Sequence, residues 1–268
     1  GMAELPIAVR DALDHLLELL DQALPGFVQA LYVHGSLALG AWTAGLSDVD
    51  FVAVAQRPAT AADLAHLRAA HEQVARAHPA VDLSGSYLQP ADLGRPAGAV
   101  QPHPHFHDGI LHPAGLHDIN DVTWWLLKQH GISVRGPAAQ RLPYAVDWNA
   151  LLDAMHANMN TYWRSFTRQP GRMAWLLSDY GVQWTVLGVL RQWYTFREHA
   201  ITSKVGAGEY ALQHLPERWH ALVREAIAIR AGFKQPRLRL RLMRAIEAHA
   251  LLCSVIAACD THPSKPPG

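Results

Sequence analysis

The fold is decided by Ala30-Leu31-Tyr32-Val33-His34-Gly35-Ser36 and, twelve positions after that serine, by Asp48-Val49-Asp50-Phe51-Val52-Ala53-Val54-Ala55. An apolar run leads into the glycine and a second one leaves the aspartates, which predicts strand, tight turn, short helix, loop, strand. Side chains alternate along a strand, so Asp48 and Asp50 share one face a few ångströms apart. Two carboxylates so placed repel each other unless a cation lies between them. Mg²⁺ suits such a pair, since it takes oxygen ligands and commonly combines one or two carboxylates with substrate phosphates. Gly35 lets backbone approach a ligand closely, and the N–H groups opening the short helix, with the Ser36 hydroxyl, can hold a terminal phosphate.

Composition narrows the class. The 268 residues, half of them hydrophobic, can bury the core of one large or two modest domains. Lys plus Arg and Asp plus Glu both number 23, which excludes the global basic excess of a dedicated nucleic-acid binder. No apolar run approaches the ~20 residues that span a bilayer, and no N-terminal segment has signal-peptide order. These readings predict a cytoplasmic protein with no membrane association, monomeric or dimeric. Cys253 and Cys259, six positions apart on one helix, point to different faces and are expected as reduced core thiols. Gly1 ahead of Met2 reads as a cloning scar.

Leu13, Leu16, Leu17, Leu20 and Leu24 form the stripe of an amphipathic first helix that Pro25-Gly26 ends. After Pro58, Thr60 and Asp63 predict a capped helix with Leu64, Leu67 and Val74 facing inward. Val81 to Leu88 alternates like a half-buried strand whose polar face carries Asp82. There Asp82 could bind a second metal, accept a proton from an attacking hydroxyl, or simply face solvent. Residues 90–113, rich in Pro, Gly and His, read as a loop between domains. His103, His105, His107, His112 and His117 could ligate zinc with Asp108 in support, line a substrate cleft, or be solvated.

Beyond this the pattern predicts helices at 121–130, 147–167, 172–199, 205–214, 216–231 and 236–258. Eight of the nine tryptophans fall here, where aromatics at helical spacing mostly pack a bundle. Arg237 to Arg244 is the one strongly basic run, which could form a phosphate or RNA surface or, with its arginines spread around a helix, a solvated face. The tail 261–268, with three prolines, is expected to be disordered.

The spacing of Gly35-Ser36 and Asp48-x-Asp50 resembles the signature of the polymerase-β-like nucleotidyltransferases. Over a longer span, Gly131-Ile132, Val134-Arg135-Gly136-Pro137, Arg191-Gln192-Trp193-Tyr194, Ile201-Thr202-Ser203-Lys204 and Ala211-Leu212-Gln213-His214-Leu215-Pro216 resemble aminoglycoside adenylyltransferases of the streptomycin/spectinomycin type. The resemblance implies an α+β/α two-domain fold: a small mixed-sheet nucleotidyltransferase domain (1–113), an all-α helical bundle domain (114–260) and the tail. It also implies transfer of AMP from ATP, with two Mg²⁺ ions, to a hydroxyl of an aminoglycoside-like small molecule. Asp48, Asp50 and Asp82 become catalytic and metal-binding residues, with Asp82 where the family has glutamate. Gly35, Ser36, Arg191 and Lys204 hold the nucleotide, and Asp179, Trp124 and Trp184 are the candidates for holding the acceptor. Val205 stands where the family usually has aspartate. Alternatives in view are a protein or tRNA acceptor and a catalytically weak nucleotide-binding regulator.

Overall fold

The computed structural model describes residues 4–45 and 47–260, so Gly1 and the tail expected to be disordered lie outside the described residues. The chain divides into two compact units, Gly1–Val146 and Asp147–Gly268.

The first unit runs α1 (Ile7–Ala23), β1 (Val28–Val33), α2 (Gly35–Ala38), β2 (Val49–Ala55), α3 (Ala61–Ala77), β3 (Leu83–Leu88), β4 (His103–His107), β5 (Ile110–Gly115), α4 (Asp121–His130) and β6 (Ile132–Arg135). Its six strands form one mixed sheet in the order β5-β4-β3-β2-β1-β6. Only β2 and β3 run parallel, because α3 carries the chain back between them. The start of α3 is a capping box: Asp63 N donates to Thr60 Oγ1 at 3.2 Å and Thr60 N to Asp63 Oδ2 at 2.7 Å. Arg57 also pairs with that carboxylate.

One sheet face is mainly apolar. The leucine stripe of α1 and Leu67, Ala70 and Val74 of α3 pack there on Leu31, Val33, Val49, Phe51, Ala53, Leu83 and Phe106. On the other face Ala30, Tyr32, Val52, Val54 and Leu88 lie in a smaller core with Trp124 and Leu127 of α4. Alternation along β2 places Asp50 on this second face, toward the strand's start.

Three expectations change here. The 90–113 segment is not a linker: β4 pairs with β3 and β5 with β4 on the outer edge of the sheet. Residues 114–146, expected with the helical part, include β6 paired with β1, and so belong to the first unit. The strand around Asp82 is not half-buried, for every residue of β3 is buried and Asp82 itself lies exposed just before it.

The second unit is helical: α5 (Trp148–Asn158), which continues through a π-helical turn at Met159–Trp163, α6 (Pro170–Trp175), α7 (Asp179–Glu198), α8 (Lys204–His214), α9 (His220–Arg230) and α10 (Leu238–Asp260). The central helix is α7, with twelve buried residues, packed against α8, α9 and α10. Its Gly188 lies under the Trp163 ring, which a side chain would overlap. The helix expected over 172–199 is two helices, because Ser178 caps a new start by accepting from Gly181 N at 2.9 Å.

The basic run is not a uniformly solvated face: Arg244 is buried. Cys253 is exposed and Cys259 buried, so only the second is a core thiol; burial pushes it up to about 12. The expectation about apolar length also needs correction, since α10 has an 18-residue window of mean hydropathy 1.6 and is long and apolar enough to cross a bilayer. Its Ala248, Leu251, Leu252, Val255 and Ile256 are buried, whereas Leu238, Leu242, Met243 and Ile246 are exposed.

Candidate active site

Strand pairing assembles the site at one end of β2 and β3. Asp50 stands opposite Ser84, and Val49 N donates to Asp82 O at 2.7 Å, which sets Asp48 beside Asp82 one position earlier. In-register neighbours on parallel strands point to the same face, so Asp48, Asp50, Asp82 and Ser84 converge. His34, buried just ahead of α2, donates its backbone N–H to Asp50 O at 2.9 Å and ties the turn to this strand. Gly35 then adopts φ +65° directly over the Asp50 side chain, where an added Cβ would fall on Oδ2 and 3.0 Å from Cγ. Only glycine fits both the backbone and the space.

The electrostatics show repulsion among neighbouring carboxylates. Asp48 is held above the ordinary carboxylate range by burial first, then by repulsion from Asp82 and Asp118, with His107 acting in the opposite sense. Asp82, though exposed at its surface, is also raised, by partial desolvation first and then by Asp108. Burial lowers His34 to about 4 and keeps it neutral.

The histidine segment is part of this face. Antiparallel pairing sets His105 opposite Ser86 and His112, and His107 opposite Ile110, so the odd-numbered histidines of β4 share the face of Ser84 and Ser86. The rings form a stack: His105 on His112 with centroids 4.6 Å apart, His105 on His117 at 5.2 Å, and His107 against His117 at 4.6 Å. Ser84 Oγ lies 3.1 Å from both His107 Nδ1 and His117 Nε2, and Ser86 Oγ donates to His117 O at 3.2 Å. Stacked imidazoles aim their nitrogens along parallel planes and not at a shared centre. Among the described residues no three His, Cys, Asp or Glu side chains are grouped to hold a metal ion, and the zinc reading fails on that geometry.

The donor chemistry of the aspartate pair fits magnesium. The donors of Asp48 and Asp50 are hard oxygens, and a divalent cation would offset both the burial and the repulsion that raise Asp48. An ion held by such a carboxylate pair can complete its shell with phosphate and water oxygens.

Of the residues read as holding an acceptor, two are committed elsewhere. Asp179 Oδ1 accepts from Arg244 Nη1 at 2.9 Å, and its Oδ2 accepts from Gln235 N at 3.2 Å. Trp124 is buried in the smaller core of the first unit, its Nε1–H donating to Arg95 O at 2.7 Å. Trp184 is half-buried, and the Lys204 ammonium stands 4.0 Å from its ring centroid. Lys204 opens α8 and Arg191 lies half-buried on α7.

The sequence reading missed the placement of His107 and His117, although a signal was available. Asp108-Gly109 is a two-residue loop with φ +51° and +75°, the type I′ turn that Asp-Gly favours between paired strands.

Two family models match the chain: a nucleotidyltransferase domain over residues 13–86 and the C-terminal domain of aminoglycoside adenylyltransferase over residues 145–254. No curated protein matches it in sequence. Among solved structures it is similar in fold to the spectinomycin adenyltransferase AAD(9) from Enterococcus faecialis, crystallised with ATP and spectinomycin. That likeness has a TM-score of 0.65 at 12% identity and covers 91% of this chain and 98% of the other.

Proposed function

Since the chain belongs to the aminoglycoside adenylyltransferase family, a family of transferases, we propose that it transfers AMP from ATP to a hydroxyl of an aminoglycoside-like small molecule. The observation that carries this reading is Gly35 folded over the Asp50 carboxylate, with Asp48 beside it on the same strand face. That arrangement joins a phosphate-approaching turn to a pair of cation-seeking carboxylates. Asp48 and Asp50 would hold magnesium, two ions in this reading, with Asp82 on the side of the second. The metal supplies charge neutralisation on the triphosphate.

The remaining work falls to the chain's own groups. Gly35 and Ser36 bring backbone and a hydroxyl to the terminal phosphates. Arg191 and Lys204 are assigned to the nucleotide phosphates, because fixed cations there offset charge developing on departing pyrophosphate. Trp184, which already carries the Lys204 ammonium 4.0 Å from its ring centroid, stays the aromatic candidate for contacting the acceptor. We place the reaction in the cytoplasm, where ATP is abundant.

The experiment is pyrophosphate release with ATP and Mg²⁺ across a panel of hydroxylated acceptors that includes streptomycin and spectinomycin. Release that depends on one acceptor class supports the reading. ATP binding with no release for any acceptor would replace it with a nucleotide-binding protein that has lost turnover.

A further inference from the structure

We propose that His117 is the base that takes the proton from the acceptor hydroxyl, with Asp118 and Ser84 as its positioning residues. The proposal rests on the transferase reading above and gives a proton acceptor to the same site.

Two His-Asp dipeptides flank one buried hydroxyl. His107 Nε2 lies 3.2 Å from Asp108 Oδ2, and its Nδ1 lies 3.1 Å from Ser84 Oγ. His117 Nε2 lies 3.2 Å from Asp118 Oδ2 and 3.1 Å from the same Ser84 Oγ. The partners assign the tautomers, because an ionised carboxylate only accepts. Asp108 therefore keeps the proton of His107 on Nε2, and His107 Nδ1 accepts the single Ser84 O–H. Ser84, its proton so committed, can only accept from His117. His117 then carries its proton on Nε2, shared with Ser84 Oγ and Asp118, and its Nδ1 is left with a lone pair. The carboxylate that orients this ring sits on a residue at φ +54°, left-handed backbone that few residues other than glycine, asparagine and aspartate adopt.

Placement favours His117 over Asp82. Ser84, which holds the imidazole, is the register partner of Asp50, so the ring sits against the strand pair that carries the carboxylates. The His117 side chain keeps 19% of its surface exposed, whereas Ser84 is 2% exposed and has no access for a substrate. Asp82 is one methylene shorter than the family's glutamate and lies beside Asp48 in the strand register, next to the carboxylate pair assigned to the cation.

In the step, the acceptor O–H bond breaks and its proton goes to His117 Nδ1. The freed oxygen pair forms the bond to the α-phosphorus of ATP, and the bond to the bridging oxygen breaks, so pyrophosphate leaves with that pair. The products are the AMP ester of the acceptor, pyrophosphate and an imidazolium that Asp118 faces.

The test uses the full-length protein with ATP, Mg²⁺ and whichever panel acceptor the wild type modifies. His117→Ala should lower kcat by about 100-fold or more, the usual worth of a general base, with the KM for ATP changed less than about twofold. Added imidazole should restore part of the rate. His117→Gln, whose amide N–H can still donate to Ser84 and Asp118, should keep the fold and show the same loss of kcat. Wild-type kcat in either variant would overturn the proposal, and so would a loss that imidazole does not rescue and that appears as weaker ATP binding. Asp48→Asn separates the two claims: if it abolishes transfer while the His117 variants do not, the transferase reading stands and only the base assignment falls.

Discussion

Arg244 donates from Nη1 to Asp179 Oδ1 at 2.9 Å, and the arginine side chain is 3% exposed. Glu225 lies 3.2 Å from the same nitrogen, and Leu177 O accepts from Nη2 at 3.3 Å. A buried guanidinium needs these anions, so Asp179 secures α7 to α10 and is not available to a cationic ligand. Asp179→Ala should therefore destabilise the protein by roughly 3 kcal/mol, the low end for a broken buried pair because Glu225 remains. Drug affinity should hold in the folded fraction. A variant that melts like the wild type yet binds spectinomycin more weakly would return Asp179 to the acceptor site.

Asp48→Asn should raise the melting temperature at pH 7 while cutting transfer at least ~100-fold, more than loss of a mere supporting partner of a metal ligand costs. Burial and the charges of Asp82 and Asp118 raise the Asp48 pKa above 3.8. A carboxyl raised in the fold binds its proton more tightly folded than unfolded. It therefore opposes folding increasingly as pH climbs from 3.8 through the raised value. Asparagine removes that opposition. In the wild type, Mg²⁺ with a nucleotide should move the Asp48 titration downward in an NMR pH series. An unmoved titration would argue against an ion at this carboxylate.

Gly35→Ala should abolish transfer with the sheet intact. The new methyl meets the Asp50 carboxylate, and φ +65° strains any side chain. Circular dichroism matching the wild type together with lost pyrophosphate release is the expected pair of results. Full activity would mean the turn does not approach the nucleotide.

Arg191→Ala and Lys204→Ala should each weaken ATP binding by about 1.5–3 kcal/mol, the worth of a charge-assisted hydrogen bond. Calorimetry reads this directly. Unchanged affinity in both would remove the two cations from the nucleotide site. For Lys204 the stack on Trp184 would then be a purely structural contact.

Stability should fall as pH drops from 6.5 toward 3. His71 lies between Phe51 and Phe106 with its Nε2 2.6 Å from Tyr87 OH, and burial holds it near 3. The unfolded chain takes up the proton near 6.5 while the folded one does not. The stability carried by the neutral ring is thus complete above 6.5 and is lost progressively down to about 3. Urea unfolding at pH 7 and pH 4 should show a larger drop for the wild type than for His71→Phe, which keeps the ring stack. Equal drops would place the acid sensitivity elsewhere.

Local chemistry made much of this protein legible in its residues. The two-residue period of a strand put Asp48 and Asp50 on one face, and the Thr60 and Asp63 pair closed its cap within one helical turn. Leucines at helical spacing made α1 a core helix. Each of these depends on residues a few positions apart, whose geometry is nearly independent of the rest of the chain. Other assignments depended on which distant segments meet. Asp179 could serve a ligand or a partner, and Arg244, 65 positions away, decided for the partner. Trp124 could face a cleft or a core, and the pairing of β6 with β1 drew α4 onto the sheet and buried it. Asp108-Gly109 could mark a hairpin among the histidines of 103–117, but the antiparallel register of β4 on β3 decided that His107 faces Ser84 and that His117 reaches the same hydroxyl. Register is fixed by the packing of whole strands, which no short window of sequence contains.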